Sequence, residues 1–83
     1  MRLLYFAWVR TKVGKGSEEL DPPATVEDVA GLLAWLKQQS PRHADALADL
    51  ARLRVAVNQD YVTFDHPVKP GDEIAIFPPV TGG

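Results

Sequence analysis

An α+β domain is the fold class the sequence predicts, and three observations carry it. Runs rich in branched and aromatic residues stand at both ends of the chain, Arg2 to Val9 and Glu73 to Phe77. A stripe of apolar residues at helical spacing lies between them, and turn residues punctuate the second half at short intervals. Strands at both ends around a helix require a sheet with the helix on one face.

RLLYFAWV, Arg2 to Val9, is too short for a typical helix and reads as a strand. Alternation places Leu3, Tyr5, Ala7 and Val9 on one face and Leu4, Phe6 and Trp8 on the other, so neither face is plainly polar. RTKVGKGS, Arg10 to Ser17, carries two glycines and reads as a turn, after which SEELD returns as a short second strand. Pro22 and Pro23 end that strand. Thr25 followed by Asp28 resembles a capping box and predicts a helix start there. Val26, Val29, Leu32, Leu33 and Leu36 form one helical stripe, broadened by Ala30 and Trp35, and Ser40-Pro41 reads as its stop. Ala44, Leu47, Ala48 and Ala51 repeat the spacing as a short second helix. LRVAV, Leu53 to Val57, alternates as a strand, and Asn58-Gln59-Asp60 turns it into YVTF as a hairpin. Lys69-Pro70-Gly71-Asp72 places Pro and Gly where a type II turn wants them, before the last strand.

Two strands, a crossing helix, a short helix and three more strands make a β-grasp, or ubiquitin-like, roll the leading topology. A split βαβ arrangement needs a second full helix between the last strands, and VNQDYVTFDHPVKPGD has no room for it. Residues 1–77 are expected to form the domain and residues 78–83 an extended tail.

Composition narrows the chemistry. The chain has 83 residues, enough for one core, and no cysteine, so disulfides, thiolate metal sites and a cysteine nucleophile are excluded. A net charge of -2 gives no overall positive field for a phosphate backbone, so nucleic acid is not an expected partner. Leu3 to Val9 is too short for a membrane span, and the expected location is the cytoplasm. His43 and His66 lack helical metal-ligand spacing, and no metal is expected. Asp65-His66 reads as a local turn. Ser17 and Ser40 stand in no nucleophile elbow, and GKGS, Gly14 to Ser17, lacks phosphate-loop spacing and reads as a hairpin turn. The neighbouring carboxylates Glu18-Glu19, Glu27-Asp28 and Asp72-Glu73 read as solvated surface.

The tail is the remaining feature. Pro78-Pro79 cannot continue a ladder and favours an extended conformation, so the chain has to leave the sheet after Phe77. From Pro78 to Gly83 an extended segment reaches on the order of 20 Å. Pro78, Pro79, Val80, Thr81 and Gly82 would thread a partner's channel, where Gly82 and Gly83 pass without Cβ atoms. The working atom would be the carboxylate of Gly83, which becomes an acyl donor once ATP has adenylated it.

Five stretches resemble a known family: FAWVR (Phe6 to Arg10), PATVEDV (Pro23 to Val29), AVNQ (Ala56 to Gln59), FDHPV (Phe64 to Val68) and GDEIAIFPPVTGG (Gly71 to Gly83). The chain is similar to the MoaD-type sulfur-carrier subunits of molybdopterin synthase, which are ubiquitin-like β-grasp proteins. The resemblance implies that an E1-like enzyme adenylates Gly83 with ATP and that a sulfur donor protein converts it to a thiocarboxylate. The synthase's large subunit then receives the tail, in a heterotetramer of two small and two large subunits. There the sulfur passes to cyclic pyranopterin monophosphate, two transfers building the dithiolene of molybdopterin. The chain would be the non-catalytic sulfur-donor subunit of that enzyme, with no permanently bound cofactor. Phe6, Arg10 and Phe77 match the family pattern and are the interface candidates. Two alternatives stand beside this: a carrier for thiamin or tRNA thiolation, and a ubiquitin-like binding module with no covalent chemistry.

Overall fold

The computed structural model describes residues 1–79. Five strands form one mixed sheet: β1 (Arg2–Tyr5), β2 (Ser17–Glu19), β3 (Arg54–Val57), β4 (Asp60–Val62) and β5 (Glu73–Phe77), in the order β2-β1-β5-β3-β4. The first and last strands lie side by side and parallel, with Leu3 opposite Ile74 and Tyr5 opposite Ile76; the other pairs are antiparallel. Helices α1 (Ala7–Val13), α2 (Val29–Lys37) and α3 (Pro41–Ala46) accompany the sheet, with a 3₁₀ turn at Leu50–Arg52. This is the β-grasp arrangement, carrying three α-helices where two were expected.

Alternation builds the core. Leu3 and Tyr5 from β1, Val55 and Val57 from β3, and Ile74 and Ile76 from β5 are buried on the helix side of the sheet. Val29, Leu32, Leu33 and Leu36 meet them from α2, Val9 and Val13 from α1, and Leu47 from the end of α3. The four α2 residues fall on a single stripe because 3.6 residues complete each turn.

The first run is shorter than its composition suggests. The strand stops at Tyr5, and Ala7, with φ at 53°, turns the chain out of the sheet into α1. Val9 and Val13, four apart on one helix face, then reach the same core that Leu3 and Tyr5 reach from the sheet. Ala7, expected to face inward with them, is exposed. Much of RTKVGKGS is therefore helix, and the turn is only Gly14 to Gly16. Gly14 closes α1 at φ 94° and donates its N–H to the Arg10 carbonyl, a left-handed cap that a Cβ would strain.

Two other boundaries move for local reasons. Helix α2 starts at Val29, three to four residues later than the Thr25 signal implied, because Asp28 is itself the cap and accepts the Gly31 N–H at 2.7 Å. Ser40-Pro41 stops α2 and also starts α3, with Ser40 accepting the His43 N–H at 3.1 Å and Pro41 in the first turn. Helix α3 ends at Ala46, so Ala48 and Ala51 lie beyond it and are exposed. The Gly71 turn forms as read, while the Asn58 turn is tighter: Asp60, expected in the turn, pairs with Val57 in β4, and Thr63 and Phe64, expected in that strand, lie beyond it. Asn58 and Gln59 both take positive φ, 51° and 74°, as a type I′ hairpin requires, and Gly71 takes φ 89° after Pro70. Asp65-His66 sits in a local turn in which the Thr63 hydroxyl donates to Asp65.

A chain of polar groups ties α3 to β1 and β2. Tyr5 Oη donates to Glu18 Oε2 at 2.7 Å, and His43 Nε2 lies 2.7 Å from the same oxygen. Ser40 Oγ lies 2.7 Å from His43 Nδ1, and Lys15 Nζ pairs with Glu18 Oε1 at 3.4 Å. Ser, His and Glu in that order occur in hydrolases, but here Ser40 Oγ is already committed to the helix cap and His43 is only 6% exposed. The group is a structural latch. Burial pushes the Glu18 carboxyl up, yet hydrogen bonds with Tyr5 and His43, helped by the His43 and Lys15 charges, outweigh it and hold the group below the ordinary glutamate value. Tyr5 is pushed well above the ordinary tyrosine value, by burial first and then by the Glu18 hydrogen bond and charge.

A folded Glu18 that binds its proton less tightly than the unfolded one contributes stability above the unfolded value of about 4.3 and loses it as pH falls through the folded value. Urea titrations between neutral and acid pH should show the stability gap between wild type and Glu18→Gln shrinking across that window. A gap that stays constant with pH would remove Glu18 as the titrating group.

Candidate functional site

Because β1 and β5 are parallel neighbours, both finish at the same edge of the sheet. Phe6 donates its N–H to the Ile76 carbonyl at 3.2 Å, one residue before Phe77, so the two phenylalanines end up side by side. The turn at Ala7 carries the backbone to the helix side but leaves the Phe6 ring outside, 48% exposed. Phe77 follows two buried isoleucines in alternation and so projects from the uncovered face, where it is half-buried and stands apart from the core cluster.

The uncovered face continues across the sheet in register. Ala56 stands opposite both Ala75 and Tyr61, and Leu4 stands opposite Ala75. Tyr61 is 82% exposed, and its ring lies 5.6 Å from that of Phe77 at a 50° tilt. Small alanines make a floor and aromatic rings make walls, enclosing a shallow groove of about 360 Å³ lined by Phe6, Ala56, Gln59, Tyr61, Ala75 and Phe77. Two exposed aromatic rings and the half-buried Phe77 on one face of so small a domain contribute little to its own core and present a contiguous apolar patch for a partner.

Pro78 and Pro79 follow directly from this face, half-buried and outside the ladder. Val80, Thr81 and Gly82, expected to thread a partner's channel, and Gly83, expected to carry the reactive carboxylate, lie outside the described residues. Arg10, the third interface candidate, is exposed on α1, and its side chain makes no hydrogen bond or ion pair among the described residues. Its neighbour is the turn, where its guanidinium lies over Gly16. The structure thus brings Phe6, Phe77 and the start of the tail together, and places Arg10 beside them on the adjoining helix.

Tyr61, Ala56 and Ala75 are site residues that reading the sequence missed. The signal was available in the two-residue turn Asn58-Gln59, which fixes Ala56 opposite Tyr61 once the hairpin is granted. That Ala75 joins them depends on β3 pairing with β5, which no local pattern announces.

A groove of about 500 Å³ lies at the other end of the molecule, between Met1, the Asp21–Glu27 segment and Val68–Pro70. It is lined by prolines and aliphatic groups and holds no convergent set of catalytic side chains. Among the described residues no three His, Cys, Asp or Glu side chains converge on a metal-sized site, and no helix is long and apolar enough to cross a membrane.

Comparison with known proteins gives a consistent result along the whole chain. The ThiS family model matches residues 3–83. The molybdopterin synthase sulfur carrier subunit of Escherichia coli (strain K12) is 47% identical over 83 residues, covering 100% of this chain and 99% of the relative. Its counterpart in Haemophilus influenzae is 43% identical over 84 residues, covering 100% and 99%. Among solved structures, a Pyrococcus furiosus protein assigned as molybdopterin converting factor subunit 1 superposes with a TM-score of 0.77 at 31% identity, covering 95% of each chain.

If the open face serves a partner, its aromatic side chains are dispensable for folding. Phe6→Ser and Tyr61→Ser should each change stability by no more than about 0.5 kcal/mol, whereas Leu33→Ala in the core should cost about 2–5 kcal/mol. Chemical denaturation of the three variants reads the difference. A core-sized loss for Tyr61→Ser would assign that ring to the fold.

Proposed function

The chain belongs to the ThiS family, and from that premise we propose that it is the sulfur-carrier subunit of a molybdopterin synthase. Its carboxyl-terminal glycine carries the sulfur. The observation that carries this reading is the ending of β5 on the aromatic face, which sets Pro78 and Pro79 beside a ready-made docking surface. Identity with sulfur carrier subunits over the full length supports it.

The chemistry follows from what a carboxylate lacks. Its negative charge repels nucleophiles and it has no leaving group, so Gly83 has to be activated by an E1-like partner. There a carboxylate oxygen bonds to the α-phosphorus of ATP and pyrophosphate leaves. A persulfide on a donor protein then displaces AMP to form an acyl disulfide, and a second thiol of the donor cleaves its S–S bond, leaving the thiocarboxylate and a donor disulfide. The large subunit receives the tail, with Pro78 and Pro79 limiting its flexibility and Gly82 passing where a side chain would clash. The terminal sulfur bonds to a carbon of the cyclic pyranopterin monophosphate as a carbon–oxygen bond there breaks and its oxygen leaves, and water cleaves the acyl–sulfur bond and restores the Gly83 carboxylate. Two such cycles supply both dithiolene sulfurs. No residue of the folded domain acts on substrate; the domain positions the tail, and the synthase's large subunit supplies the site.

Phe6, Tyr61 and Phe77 are the anchors of the small-to-large subunit contact in this reading, in a heterotetramer of two small and two large subunits in the cytoplasm. A carrier for thiamin or tRNA thiolation would share the tail chemistry, and the identity of the partner that co-purifies separates the pathways. A non-covalent ubiquitin-like module would work without Gly83.

Protein made together with its activating enzyme and a sulfur source should gain, in intact mass, the difference between sulfur and oxygen, and fragmentation should place the gain on Gly83. Removing Gly83, or adding a residue after it, should abolish sulfur transfer while the thermal transition stays unchanged. Retained transfer by the extended chain would dismiss the terminal carboxylate as the reactive group. Phe6→Ser and Tyr61→Ser should each weaken binding to the large subunit by more than about 1 kcal/mol, read by titration calorimetry.

A further inference from the structure

The net charge of -2 conceals a segregation of charge. Six of the nine Lys and Arg residues, Arg10, Lys12, Lys15, Arg42, Arg52 and Arg54, come from α1 and the segments around it, at the end of the sheet where β1 and β5 finish. Eight of the eleven carboxylates lie toward the other end: Glu19 at the end of β2, Asp21, Glu27 and Asp28 before α2, Asp60, Asp72 and Glu73 around the Asn58 and Gly71 turns, and Asp65 in the turn beside the start of α2. A five-residue strand spans about 16 Å at ~3.3 Å per residue, and charges are screened beyond about 8 Å at physiological salt. The two poles therefore act separately; Glu18, Asp45 and Asp49 stay at the basic end, where Lys12 pairs with Asp45 at 3.6 Å, and six cations against three carboxylates leave that end with an excess of positive charge.

The cationic end is constructed rather than incidental. Arg42 Nε and Nη2 donate to the carbonyls of Lys12 and Thr11, at 3.0 and 3.3 Å, closing the end of α1. Its guanidinium lies so close over Gly14 that a Cβ there would stand 2.9 Å from Cζ. Arg10 lies over Gly16 in the same way, 3.3 Å from the Cβ position to Nε. Lys12 and Arg52 both lie against the Trp8 ring, at 5.7 and 5.4 Å from its centroid. The Gly-Lys-Gly turn, which matches no phosphate loop, thus allows two guanidinium groups to lie close to its backbone. Between them is a groove of about 320 Å³ lined by Arg10, Thr11, Gly14, Lys15 and Gly16. Lys15 is paired with Glu18 and Arg42 with carbonyls, whereas Arg10 has no partner among the described residues.

We propose that this cationic cap, centred on Arg10 over the Gly14–Gly16 turn, is a second docking surface that receives an acidic segment of the large subunit. It sets the rate of association, while the aromatic face sets the rate of dissociation. The proposal rests on the sulfur-carrier reading above. A partner carboxylate approaching this solvent-open groove is attracted to the uncommitted Arg10 guanidinium without being buried against it, so the pair acts on encounter and adds little to the lifetime of the complex. A protein is favoured over a nucleic-acid backbone because the cap adjoins the aromatic face and the tail, and only a protein engages all three. Opposed charges near a contact act chiefly on encounter, raising association rates by about ten- to a thousandfold.

The test is association kinetics between the full-length chain and purified large subunit at about 50 and 500 mM salt, a range across which screening shortens from beyond 10 Å to a few Å. The wild-type association rate should fall at least about tenfold with salt, and Arg10→Glu/Arg52→Glu should be about tenfold slower at low salt, with the difference vanishing at high salt and dissociation unchanged. Equal thermal transitions for variant and wild type exclude a folding defect, and the salt dependence of the wild type tests the proposal without any variant. A salt-insensitive wild type, or a variant as fast as wild type at low salt, overturns the cap while leaving the carrier function standing. Tight low-salt binding of a labelled RNA oligonucleotide that Arg10→Glu abolishes also overturns it, in favour of a nucleic-acid surface. Failure to bind the large subunit at either salt overturns the sulfur-carrier reading itself.

Discussion

The parallel pairing of β1 with β5 is the contact on which the rest of the structure depends. It joins the two ends of the chain at the middle of the sheet, so the fold cannot close until its last strand is in place. Parallel neighbours finish at the same edge, and this puts Phe6, Phe77 and the departing Pro78 together. An antiparallel pairing of the same strands would send the tail away from Phe6. That single register relation sets Pro78, where the chain leaves the sheet, beside the aromatic face.

The two faces of the sheet then divide the work. The helix side buries Leu3, Tyr5, Val55, Val57, Ile74 and Ile76 under α1 and α2 and supplies the hydrophobic stabilisation. The other side, with Ala56 and Ala75 beneath Phe6, Tyr61 and Phe77, contributes little to stability and offers a large apolar area to a second protein. The polar latch from Ser40 through His43 and Glu18 to Tyr5 holds α3 against the start of β2 and the end of β1. That latch keeps the segments bearing the cationic cap in fixed relation to the aromatic face, so that one partner surface meets both.

Much of the fold was legible because strong local patterns agree with it. The α2 stripe, the alternation in β3 and β5, and the Asn58 and Gly71 turns each have a residue-level cause that survives in the structure. Helix α1 was not legible. Its seven residues follow a strand without a break in hydrophobicity, and a short apolar run has no periodicity long enough to separate two turns of helix from a longer strand. The start of α2 was misplaced for a simpler reason, since Thr25 and Asp28 both carry capping side chains and only the packed helix selects Asp28. Within the candidate site, Phe6 and Phe77 could be named from the ends of two strands, whereas Tyr61, Ala56 and Ala75 could not.

The sequence by itself determined the order of the five strands and the two helices between β2 and β3, the apolar stripe of the core, the exit at Pro78-Pro79 and membership of a sulfur-carrier family. Those features depend on periodicity, on the backbone limits of Pro and Gly and on motifs contiguous along the chain. Tertiary structure alone decided that Tyr61 joins Phe6 and Phe77, that two glycines of an ordinary-looking turn seat Arg10 and Arg42, and that a chain of net negative charge has a positive end. Each of these joins residues far apart in the chain, and the distance between them is set by strand register and helix packing, which no local stretch encodes.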